Sequence, residues 1–176
     1  TKSHHAVVFG PEIPYAPGTE NYHFEFELAL ALGSGGCQVA EARAMELIAG
    51  FACGLDMTRR DLQGTAKKKG LPWDTAKDVE GGCALSPLTL ATSWTLASQR
   101  IQLKVNGETR QDARLGELIW SVPEIIAHLS TLYHLSPGDI IMTGTPAGVG
   151  AVEPGDVLEG EIEGLAPLKV MIGARP

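Results

Sequence analysis

The sequence is poor in aromatic rings, basic charge and cysteine, and it holds no long apolar run. Phe, Trp and Tyr make up 6% of its 176 residues, so a core must be built from Leu, Val, Ile and Ala. Lys and Arg number 14 against 21 Asp and Glu, for a formal net charge of -7. General binding to a phosphate backbone needs a basic surface, so nucleic acid is excluded as an expected partner. A small anionic substrate is not excluded, because a bound cation inverts the local field. No apolar stretch approaches the ~20 residues that span a bilayer, and no membrane association is expected. The three cysteines, Cys37, Cys53 and Cys83, are odd in number, far apart and without zinc-finger spacing. They argue against a disulfide framework and fit a reducing cytoplasm. No secretory signal pattern opens the chain. It begins at Thr1 and enters an apolar run at once, so an upstream stretch is expected to be missing.

What is present is a soluble globular balance, 44% hydrophobic and 20% charged, long enough for one domain over residues 1–176. Residues 6–9 read as a short strand, and residues 10–22, with three prolines and two glycines, as an irregular loop. Residues 23–32 alternate. Phe24, Phe26, Leu28, Leu30 and Leu32 face one way; His23, Glu25, Glu27, Ala29 and Ala31 face the other. Residues 39–49 read as a helix closed by Gly50, and residues 51–55 as a buried strand ending at Asp56. Thr58 reads as the N-cap of a second helix, with Asp61 completing a capping box, and Gly70 and Pro72 ending it near Lys69. Residues 73–87 read as a surface-lying, mobile loop, and residues 88–97 and 101–105 as strands. Asn106-Gly107 signals a hairpin turn. Ser121 and Pro123 open a helix with apolar residues at helical spacing. A strand follows at 140–143, and a closing hairpin runs through 157–162 and 167–172. The whole is a strand-dominated α+β domain.

The strongest chemical signal is Glu25-Phe26-Glu27. Carboxylates on alternate strand positions share a face, and small Ala29 and Ala31 beside them leave room above the sheet. Like charges this close are costly unless a proton or cation sits between them. All-oxygen ligation suits Mg²⁺, Mn²⁺ or Ca²⁺ better than zinc. Read alone, the pair also fits a solvated strand face. Asp56 stands at a strand end, where sites commonly form. Arg60 and Gln63 share one helix face, and a guanidinium there can grip a carboxylate or make a surface ion pair. Residues 143–150, Thr-Gly-Thr-Pro-Ala-Gly-Val-Gly, match neither a phosphate-binding P-loop nor a dinucleotide fingerprint. They are either a tight connection or a set of N–H groups and hydroxyls suited to a carboxylate. His128 and His134 read as structural. Lys67, Lys68 and Lys69 read as a solvated helix end, and Lys77 stands apart in a loop.

Five segments in order resemble the fumarylacetoacetate hydrolase family. They are residues 23–28 around the glutamate pair, residues 50–63 around Asp56, and residues 68–77 with Lys-Lys-Gly-Leu-Pro-Trp and Ala76-Lys77. Val105-Asn106-Gly107-Glu108 and residues 143–150 complete the set. Residues 68–77 are especially similar to the acylpyruvate hydrolase and oxaloacetate decarboxylase branch. The resemblance implies a mixed β-roll with few helices, most often a homodimer. It implies that Glu25, Glu27 and Asp56 ligate Mg²⁺ or Mn²⁺ (with Ca²⁺ possible in crystals), that Arg60, Gln63 and Thr145 bind a small keto-acid substrate, and that Lys77 is catalytic. The family's upstream His and acidic partner, which activate water, have no counterpart here; none of His4, His5 or His23 stands in that context.

The implied reaction is C–C cleavage of an acylpyruvate, such as a fumarylpyruvate-like diketo acid of aromatic catabolism. The metal acts as a Lewis acid toward the enolate that forms, and Lys77 adds positive charge there. Oxaloacetate decarboxylation and isomerisation of a 2-hydroxyhepta-2,4-diene-1,7-dioate are alternatives on the same chemistry. A metal-binding, catalytically inactive homologue is the non-enzyme alternative.

Overall fold

A computed structural model describes every residue except Thr1, Ser3 and Phe9. Its strands and helices run in the following order. β1 is Val7–Val8, β2 Glu12–Ile13, β3 Tyr22–Phe24 and β4 Phe26–Leu32. Helix α1 (Glu41–Ala44) is followed by β5 (Ile48–Asp56) and β6 (Thr58–Arg59). Next come α2 (Arg60–Lys69), α3 (Asp74–Lys77), β7 (Cys83–Leu85) and β8 (Thr89–Leu90). β9 (Arg100–Val105) and β10 (Glu108–Arg114) lead to α4 (Val122–Leu132). β11 (Ile140–Met142), β12 (Gly150–Ala151), β13 (Val157–Ile162) and β14 (Leu168–Ile172) complete the chain. Strands dominate, as the composition of α+β signals implied. Among the described residues no helix is long and apolar enough to cross a membrane.

The strands form three sheets. The largest orders β1-β7-β5-β4-β11, with β8 also on β5; a second orders β10-β9-β13-β14-β2; a third orders β12-β3-β6. The larger of two apolar clusters among the described residues, from Ile13 through Phe24, Phe26, Leu103 and Ile126 to Ile172, joins elements of all of them. Phe26 sits at the centre of this packing. A Cβ on Gly160 of β13 would come within 2.3 Å of its ring, so the second sheet approaches β4 this closely only because Gly160 has no side chain.

The hairpin at Asn106-Gly107 forms with both residues at positive φ (52° and 81°), which a type I′ turn demands. Ser121 caps α4 with the full reciprocal capping box to Glu124. α2 ends at Gly70 in the left-handed region. β1 covers Val7 and Val8; the last residue of the expected 6–9 strand, Phe9, lies outside the described residues.

Several local expectations are corrected. The helix over 39–49 is only α1 plus a short 3-10 turn, because Ile48 and Gly50 are drawn into β5 opposite Leu32 and Ala31. Gly50 is therefore a strand residue, pressed against Thr89 O and Leu88, and not a helix cap. Thr58 does not cap α2: it lies in β6, Arg59 holds the N-cap position without a side-chain capping bond, and Asp61 instead accepts bonds from Thr19 and Glu20. The 73–87 segment is not a surface-lying loop. It contains α3 and β7, and residues 81–86 are buried because β7 pairs with β5. Finally, strand structure in 88–97 is confined to β8. Ala29 and Ala31 also do not open onto free space; both are buried, Ala29 among Ala6, Ala52, Cys83 and Leu85.

Candidate metal and keto-acid site

The strand pairing itself builds the acidic cluster. β3 breaks at Glu25 and β4 resumes at Phe26, whose ring turns into the core. Glu25 and Glu27 are thereby sent to the opposite face. Phe26 is paired with Leu55, and the Asp56 amide donates to Glu25 O at 2.8 Å, which sets Asp56 across from Glu25. Carboxylate oxygens of Glu25, Glu27 and Asp56 lie within 4.8 Å of one another.

Cations surround the cluster. Lys77, on α3, places Nζ 2.7 Å from Glu25 Oε2, 2.7 Å from Asp56 Oδ2 and 2.9 Å from the Thr58 hydroxyl. Arg60, in the first turn of α2, donates from Nη2 to Glu25 Oε1 at 2.5 Å and from Nη1 to Gln63 Oε1 at 2.6 Å. Its Nε faces His23 Nδ1 at 3.4 Å, and His23 Nε2 is 2.8 Å from Asn21 Oδ1. Burial, and then the Arg60 charge, hold the His23 pKa below its ordinary value. With Nδ1 as the acceptor, the His23 ring helps to orient Arg60. Lys2 brings a third cation: its Nζ is 2.8 Å from Asp56 Oδ1 and donates to the Lys77 carbonyl.

The electrostatics follow from this burial. Glu27 is 3% exposed. Burial and then the neighbouring Asp56 push its pKa up to about 8, against the opposing hydrogen bond from the Gly144 amide at 2.6 Å. For Lys77 burial disfavours the ammonium, but the Asp56 and Glu25 carboxylates outweigh it and raise its pKa. Three carboxylates face three cationic groups, so the cluster is balanced only once Glu27 gives up its proton.

The donor set fits a hard divalent cation. All the ligand atoms are carboxylate oxygens, and Asp56 Oδ1 is buried without a well-aligned hydrogen bond despite the nearby Lys2 ammonium.

The residues singled out in the sequence are brought together. Gln63 is buried beside Arg60, and Thr145 stands on the 143–150 loop next to Glu27. The Thr145 hydroxyl is engaged, donating to Phe26 O at 2.9 Å and accepting from Gln111 Nε2 at 2.8 Å. His128 is exposed and meets the Trp120 ring edge-on, away from the cluster. Sequence reasoning missed Lys2, Thr58 and Gln111. A lone lysine near a chain start carries no pattern. Thr58 carried a capping signal that proved false, and Gln111 looks like one more polar residue on a mostly exposed strand.

Comparison with known proteins identifies the family to which this fold belongs. The family signature described as fumarylacetoacetate (FAA) hydrolase C-terminal matches residues 1–172. A fumarylpyruvate hydrolase of Ralstonia sp is 51% identical over 174 residues, covering 98% of this chain and 91% of that protein. A mitochondrial oxaloacetate tautomerase of Homo sapiens is 40% identical over 168 residues, covering 90% of this chain and 76% of its own. The crystal structure of fumarylpyruvate hydrolase from Pseudomonas aeruginosa, in complex with Mn²⁺ and pyruvate, superposes with a TM-score of 0.96 at 42% identity. It covers 99% of this chain and 77% of that one. With an oxygen-rich acidic cluster, the same strand framework and a matching signature over nearly its whole length, the chain belongs to the fumarylacetoacetate hydrolase family.

Proposed function

We propose that the protein is a divalent-metal-dependent hydrolase that cleaves the C–C bond of an acylpyruvate, giving pyruvate and a carboxylic acid. The observation that carries this reading is Lys77 Nζ, held 2.7 Å from both Glu25 and Asp56 at the edge of the three-carboxylate cluster. Metal binding alone would need no such lysine. The Ralstonia relative and the Mn²⁺–pyruvate complex of the Pseudomonas enzyme support the substrate class.

Glu25, Glu27 and Asp56 would hold Mg²⁺ or Mn²⁺. The cation, when bound, supplies Lewis acidity to the oxygens of a keto acid. Arg60 and Gln63 bind and orient the substrate carboxylate, with the 143–150 loop as the facing wall. Water adds its oxygen to the acyl carbon and gives up a proton as the C–C bond breaks, and the bonding pair leaves on the pyruvate fragment as an enolate. The Lys77 ammonium stabilises that developing charge, and a proton taken up at carbon completes pyruvate. With Glu27 ionised, three carboxylates match three cationic groups, so a divalent ion leaves an excess positive charge, which suits a dianionic keto acid.

Steady-state rates on acylpyruvates and on oxaloacetate, with Mg²⁺ and with Mn²⁺, test the reading. Acylpyruvate cleavage should dominate; turnover of oxaloacetate alone would reject the hydrolase assignment in favour of the tautomerase relatives' chemistry. We further propose a homodimer in a reducing cytoplasm. The exposed apolar pair Ile119 (97% exposed) and Trp120 supports a covered face, and light scattering on the purified protein should return twice 18.6 kDa.

A further inference from the structure

We propose that Gln111 is a positioning residue for the cation site, acting through Thr145 and the backbone of Phe26. The inference rests on the reading that Glu25, Glu27 and Asp56 hold the cation.

β10 is an outward-facing polar strand with one fully buried polar side chain, that of Gln111, at 0% exposure. It lies where the β9–β10 register shifts, between Thr109 and Gln111, and such a bulge re-aims a side chain. Its amide spends all its directed bonds on the site's scaffold. Oε1 accepts from Phe26 N at 3.1 Å; Nε2 donates to Thr145 Oγ1 at 2.8 Å and to Pro146 O at 2.8 Å. The network fixes which end is oxygen, because Phe26 N can only donate and Pro146 O can only accept. Thr145 Oγ1 returns a bond to Phe26 O at 2.9 Å, so the ring closes on the residue between the two glutamates.

Three consequences follow. Phe26 N sits at the break between β3 and β4, where a buried amide without a partner would be costly; Gln111 satisfies it and so stabilises the turn that sends Glu25 and Glu27 to one face. The same amide holds the 143–150 loop against β4, which is what lets Gly144 N reach Glu27 Oε2. The loop can lie this near β10 because a Cβ on Gly148, at φ +100°, would fall 2.0 Å from Arg110 O. Last, with Gln111 donating to Thr145, the Thr145 hydroxyl hydrogen must point at Phe26 O. It is then a link in the scaffold, and its proton is not offered to a substrate. This reverses the role that the family resemblance gives to that hydroxyl.

The test is a double-mutant cycle on Gln111→Met and Thr145→Val, read by Mn²⁺ affinity and by kcat and KM, with circular dichroism to check folding. Each single substitution should weaken Mn²⁺ binding by about tenfold or more. The double variant should be no weaker than the worse single, since both break one ring. Losses that multiply in the double variant, or single variants with unchanged Mn²⁺ affinity, overturn the proposal. If Gln111→Met does not fold, Thr145→Val decides alone: undiminished Mn²⁺ affinity with a raised KM would mean that the hydroxyl serves the substrate and not the scaffold. Mn²⁺ affinity is measured without substrate, so a wild-type protein inactive on acylpyruvates would sink the proposed reaction while leaving this inference to stand or fall on metal binding.

Discussion

Glu27 is the residue whose chemistry can be read most directly in solution. An ordinary glutamate ionises near 4.5, whereas folded Glu27 keeps its proton up to about 8. The folded state therefore binds more protons than the unfolded chain between those values, and stability without metal falls as pH rises through that window. A divalent cation must displace the proton. Its affinity should climb by up to about tenfold per pH unit toward pH 8 and then level off, as Mn²⁺ titrations at pH 6, 7, 8 and 9 would show. A flat profile below 8 would place the cation elsewhere. Lys77→Met should lower kcat by ~10²–10³ with Mn²⁺ still bound, the usual worth of a group aimed at a developing oxyanion. Arg60→Ala should raise KM while leaving Mn²⁺ affinity undiminished, because arginine offers no metal ligand and its loss frees Glu25 from a competing ion pair. Equal loss of Mn²⁺ binding in calorimetry would make Arg60 a structural residue. The convergence of Glu25, Glu27 and Asp56 was legible from strand alternation and a strand end, whereas Arg60, Gln63 and Lys77 were singled out through the segments that resemble the family. Lys2 and Gln111 were not, since their importance exists only through partners 54 to 85 positions away, Asp56 and Phe26.

At the scale of elements, local chemistry was a sound guide where the element depends on itself. α4 has its cap, its Pro and its apolar stripe within a dozen residues, and it forms as read. Ser121→Ala should cost about 1 kcal/mol of stability and lower Tm by ~2–4 °C without changing kcat or Mn²⁺ affinity; a change in either would tie α4 to the site. The misreadings occur where pairing with a distant strand overrides propensity. Residues 45–49 have helical composition, yet Ile48 begins a strand because β4 offers a complete ladder. Residues 83–85 carry no strand pattern of their own and are ordered by β5 and β1 on either side. That capture brings α3, and with it Lys77, to the carboxylates before any ligand arrives.

Across the whole molecule, two of the three thiols are hidden and Cys37 is exposed: burial raises Cys53 and Cys83 to about 11, well away from reactivity. The contact between Gly160 and Phe26 reaches further. One face of β4 belongs to the core and the other to the carboxylates, and Phe26 is bonded into both. A methyl group added at Gly160 would press on its ring from behind. Gly160→Ala should therefore lower Tm and weaken Mn²⁺ binding together, and a Tm loss with intact Mn²⁺ affinity would show the two faces to be mechanically separate. If they are coupled, the floor under Phe26 acts as the anvil on which the site's shape is struck. Substitutions deep in β13 would then surface as losses of activity in a protein that still folds, at positions no inspection of the active centre would single out.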